Sequence, residues 1–186
     1  MQFAYQFPTR YLGLVLVCAG GLGVETPFWL RAASLPGSEL VFAGIGSKRT
    51  NRSLLFLRRA LRKVGVDPQT LSPDAVDRLR EFGDPMARRA FLSTLRSVID
   101  IRGQRVSAVG KIQALGDTPV LLIWGAVDPV IPLHHAEAAA DLIPNCELVV
   151  FPRIAHEPHI EDPERVTRLL LEFPNRLPTH QLAEIS

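Results

Sequence analysis

Cysteine is nearly absent: Cys18 and Cys146 are the only two in 186 residues. Two thiols cannot build a disulfide framework, and both sit in apolar, strand-like contexts. Buried, reduced thiols and a cytoplasmic setting are therefore expected. An excess of one charge is equally lacking. Lys and Arg number 21 against 19 Asp and Glu, a net charge of +2, which is no footprint of general polyanion binding. The apolar stretch Tyr11–Val24 has 14 residues, short of the roughly 20 that a spanning helix needs. Arg10 before it and Ala19-Gly20-Gly21 after it give the outline of an export signal over residues 1–23. Pro8 and the single Arg weaken that outline, and a buried strand is the better reading. No internal repeat or low-complexity segment occurs.

What is present is an ordinary globular composition, 47% hydrophobic and 22% charged, long enough for one sizeable core. Leu12–Cys18, Val120–Trp124 and Glu147–Phe151 are continuous apolar runs of strand length. Such runs indicate strands buried on both faces, as in parallel sheets. Met1–Pro8 reads as a short helix without an N-terminal cap. Leu133–Ile143 is an Ala-rich helix between the second and third strands. Pro163–Phe173 is a helix capped by Asp162, with Val166, Leu169, Leu170 and Phe173 on its apolar face and Pro174 ending it. Alternating strands and helices imply an α/β layer architecture with parallel crossovers.

Between the first and second strands lies an insertion of about ninety residues, far beyond an ordinary connection. It reads as entirely helical. Leu54, Leu57, Leu61 and Val64 follow helical spacing, Ser72-Pro73 opens another helix, and Asp84-Pro85 opens a third. In that third helix Phe91, Leu92, Leu95, Val98 and Ile99 share one face. A helical excursion inserted at a strand end is expected to cap whatever lies there. The expected domains are a core of residues 1–23 and 106–174, a cap of residues 24–105, and a tail of residues 175–186.

Two residues point to chemistry. Asp128 follows Val120–Trp124 after a tight Gly125-Ala126-Val127 turn, which sets a carboxylate at the carboxyl end of a parallel strand. His156 follows the strand ending at Phe151 after a short loop, on the same edge of the sheet. Singly, an Asp after Gly is a turn residue and a loop His is a solvated one. Jointly, on neighbouring strands, they can meet. A carboxylate on an imidazole Nδ1–H fixes the tautomer and stabilises the imidazolium formed when the ring takes a proton.

W-G-x-x-D-x-x-x-P at Trp124–Pro132 and H-x-P-x-x-E-x-P at His156–Pro163 resemble the acid and histidine loops of α/β-hydrolase proteins. Met1–Gly21 is similar to the segment that follows the nucleophile in that family: a helix, Pro8, a strand and a Gly-rich loop. The resemblance covers about residues 1–45 and 117–174. It implies that Asp128 is the triad acid and His156 the general base, in the family's order of acid then histidine. It implies structural roles for Trp124 and Gly125, and a loop-shaping role for Glu161 and Pro163. It also implies that the three strands are the last three of a larger sheet. The family often has Gly before the histidine, whereas Arg153-Ile154-Ala155 stands here, a bulkier loop that leaves the exact placement of the ring open.

No G-x-S-x-G occurs anywhere in the sequence. On the family pattern the nucleophile and the oxyanion hole would lie upstream of Met1. The expectation is a hydrolase of a small or lipophilic ester, amide or activated C–C bond that lacks its nucleophile in this chain and is inactive as given. The alternative is a non-catalytic α/β module that binds a partner through the open edge at Leu12–Cys18. Self-association through that edge is also expected.

Other candidates carry less. Cys18 ends the first strand and approaches the site, but its apolar neighbours suit an inert core thiol. Ser34, Ser47, Ser53 and Ser93 lack the context of a nucleophile. His134 and His135 are adjacent on a helix and point apart, with no acidic or thiol ligand at suitable spacing, so neither a metal nor any other cofactor is expected. His159 reads as a surface loop residue. Phe28, Trp29, Phe42 and Phe91 pack the cap or line a pocket. Lys48, Arg49, Arg52, Arg58, Arg59, Arg62 and Lys63 form a basic stretch that reads as a solvated helix face. Without interleaved aromatics it suggests no nucleic acid partner.

Overall fold

The computed structural model describes residues 1–45 and 81–177. The expected helices around Leu54–Val64 and at Ser72-Pro73, the basic stretch, Ser47, Ser53 and most of the tail lie outside the described residues. The chain divides into two compact units, one of Met1–Glu25 with Ser107–Ser186 and one of Thr26–Val106.

The first unit is built on a parallel sheet in the order β1 (Leu14–Val17), β4 (Val120–Gly125), β5 (Cys146–Phe151). Leu14 pairs with Val120 at one end of the β1–β4 ladder, and Gly125 pairs with Phe151 at the far end of the β4–β5 ladder. The central strand is buried at all six positions, which is why its sequence shows no polar alternation. Its side chains divide by strand period. Val120, Leu122 and Trp124 join a core with Leu16, Ala136, Ala139, Ile143 and Ile112. Leu121 and Ile123 join Phe151, Val166 and Phe173 on the other face. Trp124 and Phe151 are both 0% exposed, and each such side chain contributes about 1.5–3 kcal/mol through burial.

Helices cover both faces. The helix α5 (Leu133–Leu142) supplies the small residues Ala136 and Ala139 to the first core. The helix α7 (Pro163–Glu172) starts at Asp162, whose side chain accepts the Arg165 N–H at 3.1 Å. Leu170 is 45% exposed, so it does not share the buried face with Val166. The apolar arc is narrower than the sequence suggested. A 3₁₀ turn over Phe173–Arg176 follows.

The second unit contains α2 (Phe28–Ser34), α3 (Ser38–Ile45) and α4 (Pro85–Val98). Asp84 caps α4 by accepting the Met86 and Ala87 N–H groups at 3.1 and 3.2 Å. Leu92 and Leu95 are its buried residues, while Val98 is 39% exposed. The unit is not wholly helical. Ile99–Asp100 (β2) pairs antiparallel with Gly103–Gln104 (β3), and Ile99 belongs to this hairpin rather than to the helix. The sequence Asp100-Ile101-Arg102-Gly103 closes the turn, with the Asp100 side chain accepting the Arg102 N–H at 2.7 Å and Gly103 at φ 125°.

Phe42, Phe82 and Phe91 form an aromatic cluster, with ring centroids 4.7–5.6 Å apart. Phe28 is 63% exposed. Arg96 ties α4 to the α2–α3 connection: it donates to the carbonyls of Ser34 and Leu35 and to the Ser38 hydroxyl, and it pairs with Glu39. That guanidinium holds the Glu39 carboxyl down at about 2.

Candidate active site

The acid loop leaves β4 at Gly125 and is fixed at both ends. Trp124 donates its indole N–H to the Ile131 carbonyl at 3.1 Å, which closes the loop back onto the strand. The Asp128 N–H donates to the Gly125 carbonyl at 3.3 Å. Inside this turn the Asp128 Oδ1 accepts the Val130 and Ile131 N–H groups at 2.7 and 3.0 Å. Pro132 then leads into α5, where its missing N–H costs nothing.

The histidine loop leaves β5 at Phe151. Ala126 donates to the Phe151 carbonyl at 2.9 Å and Val127 to the Ile154 carbonyl at 3.3 Å, so the two loops are laced together. Gly125 is what lets them approach. A β-carbon there would overlap the carbonyl oxygens of Ile154 and Ala155. The Glu161 carboxylate accepts the Ala155 N–H at 3.1 Å and the Glu157 N–H at 3.2 Å. Those amides flank His156 on either side. Glu161 lies in the short helix α6 (Pro158–Glu161), where Pro158 fills its first turn and is fully buried.

The outcome is a contact between the two residues singled out above. His156 Nδ1 lies 2.8 Å from Asp128 Oδ2. The Asp128 side chain is 0% exposed and that of His156 is 35% exposed. The carboxylate, which accepts only, thus has three N–H partners, and His156 donates from Nδ1. The absence of a Gly before His156 does not displace the ring, because Ala155 is held through both its N–H and its carbonyl.

Cys18, at the end of β1, does approach this pair. Its Sγ, an Asp128 oxygen and a His156 nitrogen lie within 4.8 Å of one another. The thiol donates to the Ala155 carbonyl at 3.9 Å. Burial, reinforced by Asp128, pushes it up to about 12, surroundings that disfavour the thiolate. Cys18 is also the one non-glycine residue at positive φ, 41°, among the described residues. This conformation costs an L-residue about 1–2 kcal/mol. Cys146 is only partly buried.

Of the serines within the described residues, Ser34 donates to the Arg31 carbonyl at 2.7 Å, inside its own helix, and Ser93 lies on α4. His159 is exposed in α6 rather than in a loop. The expectation that the His134 and His135 rings point apart is corrected by the geometry, because the two rings converge. Both Nε2 atoms meet one carboxylate oxygen of Glu25, at 3.2 Å from His135. The acid is supplied from 109 residues away along the chain, which no local spacing rule could find. The His134 imidazole holds the Glu25 carboxyl below its ordinary range, with His135 adding to the effect. No helix among the described residues is long and apolar enough to cross a membrane.

Comparison with known proteins agrees with this architecture. An uncharacterized protein of Mycobacterium tuberculosis (strain ATCC 25618 / H37Rv) is 36% identical over 179 residues, spanning 93% of this chain and 51% of that protein. The 2-hydroxy-6-oxononadienedioate/2-hydroxy-6-oxononatrienedioate hydrolase of Comamonas testosteroni is 28% identical over 177 residues, spanning 93% of this chain and 57% of that protein. The chain thus spans little more than half the length of the curated relatives it matches. Among solved structures, a meta-cleavage product hydrolase from Pseudomonas fluorescens IP01 matches with TM-score 0.61 and 24% identity, over 94% of this chain and 60% of that one. A likeness at that identity shows the fold alone. The family model described as alpha/beta hydrolase fold matches residues 1–163, and the chain belongs to that family.

Proposed function

We propose that this chain carries the acid–base arm of a hydrolase site, with Asp128 as the triad acid and His156 as the general base. The observation that carries the reading is the 2.8 Å contact between His156 Nδ1 and a fully enclosed Asp128 carboxylate. An enclosed carboxylate keeps the proton on Nδ1 and leaves Nε2 to take one from an attacking group. The substrate is a small or lipophilic molecule with an ester, amide or activated C–C bond. Relatives named as 2-hydroxy-6-oxo acid hydrolases support the last of these. Residues 24–105 serve as the cap segment, by their place between the first and second strands of the core.

The attacking group comes from outside these 186 residues. No G-x-S-x-G occurs in them, and burial disfavours the thiolate of Cys18, the thiol nearest His156. Attack on a carbonyl also needs two N–H donors on the developing oxyanion, one of them beside the nucleophile.

The test is ester hydrolysis by this chain and by a longer product that adds a nucleophile-bearing segment ahead of Met1. The chain alone should show no turnover above its His156→Ala variant. The longer product should hydrolyse the ester and lose activity by about 10³–10⁴ on Asp128→Asn. His156-dependent turnover by the chain alone would overturn the external nucleophile. An undiminished Asp128→Asn rate in the longer product would overturn the role of Asp128.

A further inference from the structure

We propose that Glu25, His134 and His135 form a binding site for a divalent transition-metal ion of the zinc class. One ligand atom from each residue lies within 4.8 Å of the others. They converge from two distant pieces of chain. Glu25 follows the Gly-rich loop after β1, and the histidines open α5.

The spacing suits such an ion. Bonds of about 2.0–2.1 Å to four tetrahedral ligands place neighbouring ligand atoms about 3.3 Å apart. The Glu25 oxygen and His135 Nε2, 3.2 Å apart, have that spacing, whereas the exposed His134 ring, in direct contact with the same oxygen, must draw back about an ångström to admit the ion. Two imidazoles and one carboxylate are a borderline donor set, which favours zinc, nickel or copper over magnesium or calcium.

The protein also holds the ligands in place. His135 is 3% exposed, and its ring lies against the backbone of Gly23, where a β-carbon would overlap it. The His135 ring therefore cannot swing away from Glu25 without leaving the core. Glu25 and His134 are 70% and 58% exposed at their side chains, so water can reach the ion and fill the fourth position.

One feature sets the strength. His135 Nδ1 is buried without a hydrogen-bond partner. Metal-ligating histidines normally donate their other N–H, and losing that partner weakens affinity by about 10–100-fold. The site is therefore of moderate affinity, and its ion ties the loop at Gly23–Glu25 to the start of α5.

The experiment uses the full 186-residue chain, stripped with a chelator and titrated with zinc chloride against a chromophoric competitor. One equivalent of zinc should bind. Glu25→Gln and His134→Asn alter exposed side chains and leave the fold intact by circular dichroism. Each should weaken binding by about tenfold or more. Gly23→Ala, which removes no ligand but displaces the His135 ring, should weaken it too. His156→Ala should bind as the parent does. Cobalt(II) should give a visible absorption band that the Glu25→Gln variant loses. Absence of binding to the parent chain would overturn the proposal. So would equal affinity in Glu25→Gln and His134→Asn, or a loss confined to His156→Ala, which would move the ion to Cys18, Asp128 and His156.

Discussion

Replacing Asp128 by Asn and by Ala separates its two tasks. In the native chain Oδ1 accepts two backbone N–H groups and Oδ2 accepts His156 Nδ1. An Asn oxygen can keep both backbone bonds, but its NH₂ must then face the imidazole. His156 can pair with that NH₂ only by accepting at Nδ1, which moves the ring proton to Nε2. Asp128→Asn therefore inverts the tautomer while costing about 1–2 kcal/mol, the difference between charged and neutral acceptors. Asp128→Ala leaves the Val130 and Ile131 N–H groups without an acceptor, and it should cost about 3–5 kcal/mol.

Urea denaturation measures the two stabilities. Long-range ¹H–¹⁵N NMR of the histidine rings reads which nitrogen of His156 carries the proton. The result that refutes the reasoning is a His156 ring that still protonates Nδ1 in Asp128→Asn. Equal stability of the two variants would equally refute the buried-acceptor argument.

Gly125→Ala drives a β-carbon into two backbone carbonyl oxygens that cannot rotate away. It should cost about 3 kcal/mol in urea denaturation and shift the Ala155 and His156 amide resonances; wild-type stability would contradict the close approach of the two loops. The Cys18 thiol titrates near 9.0 when unfolded and at about 12 in the native fold. Its contribution to stability is thus complete below the unfolded value and is lost as pH rises towards the folded one. The parent should therefore lose stability above pH 9 more steeply than Cys18→Ala, and native Cys18 should resist thiol reagents at pH 8, about where an exposed thiol reacts readily. Rapid labelling of Cys18 under native conditions would show the thiol to be accessible.

The core was legible because parallel strands buried on both faces write themselves as unbroken apolar runs. Val120–Trp124 needed no partner information to be read as a strand. The pairing of Asp128 with His156 was legible for a related reason: residues just beyond the carboxyl ends of neighbouring parallel strands share an edge. Other features carried no local trace. The Ile99–Gln104 hairpin is two residues per strand, too short for a period-2 signal. Leu170 fits helical spacing as well as Val166 does, and only the position of the sheet decides which is covered. Glu25 meets His134 and His135 through the tertiary fold alone. Cys18 read as a core thiol at the edge of the site, and it packs in the core with Leu16 and Leu22 while its Sγ reaches the Ala155 carbonyl.

The ladder between β4 and β5 ends with Gly125 opposite Phe151, and the loops that bear Asp128 and His156 begin at that last rung. A slip of one residue in this pairing would carry His156 about 3.3 Å along the strand axis and turn Phe151 out of its core. Misaligned chains would forfeit imidazole–carboxylate contact and hydrophobic packing together. Protonation behaviour of a single ring is thus a gauge of whether the whole sheet has closed in alignment, readable in any variant without an activity assay.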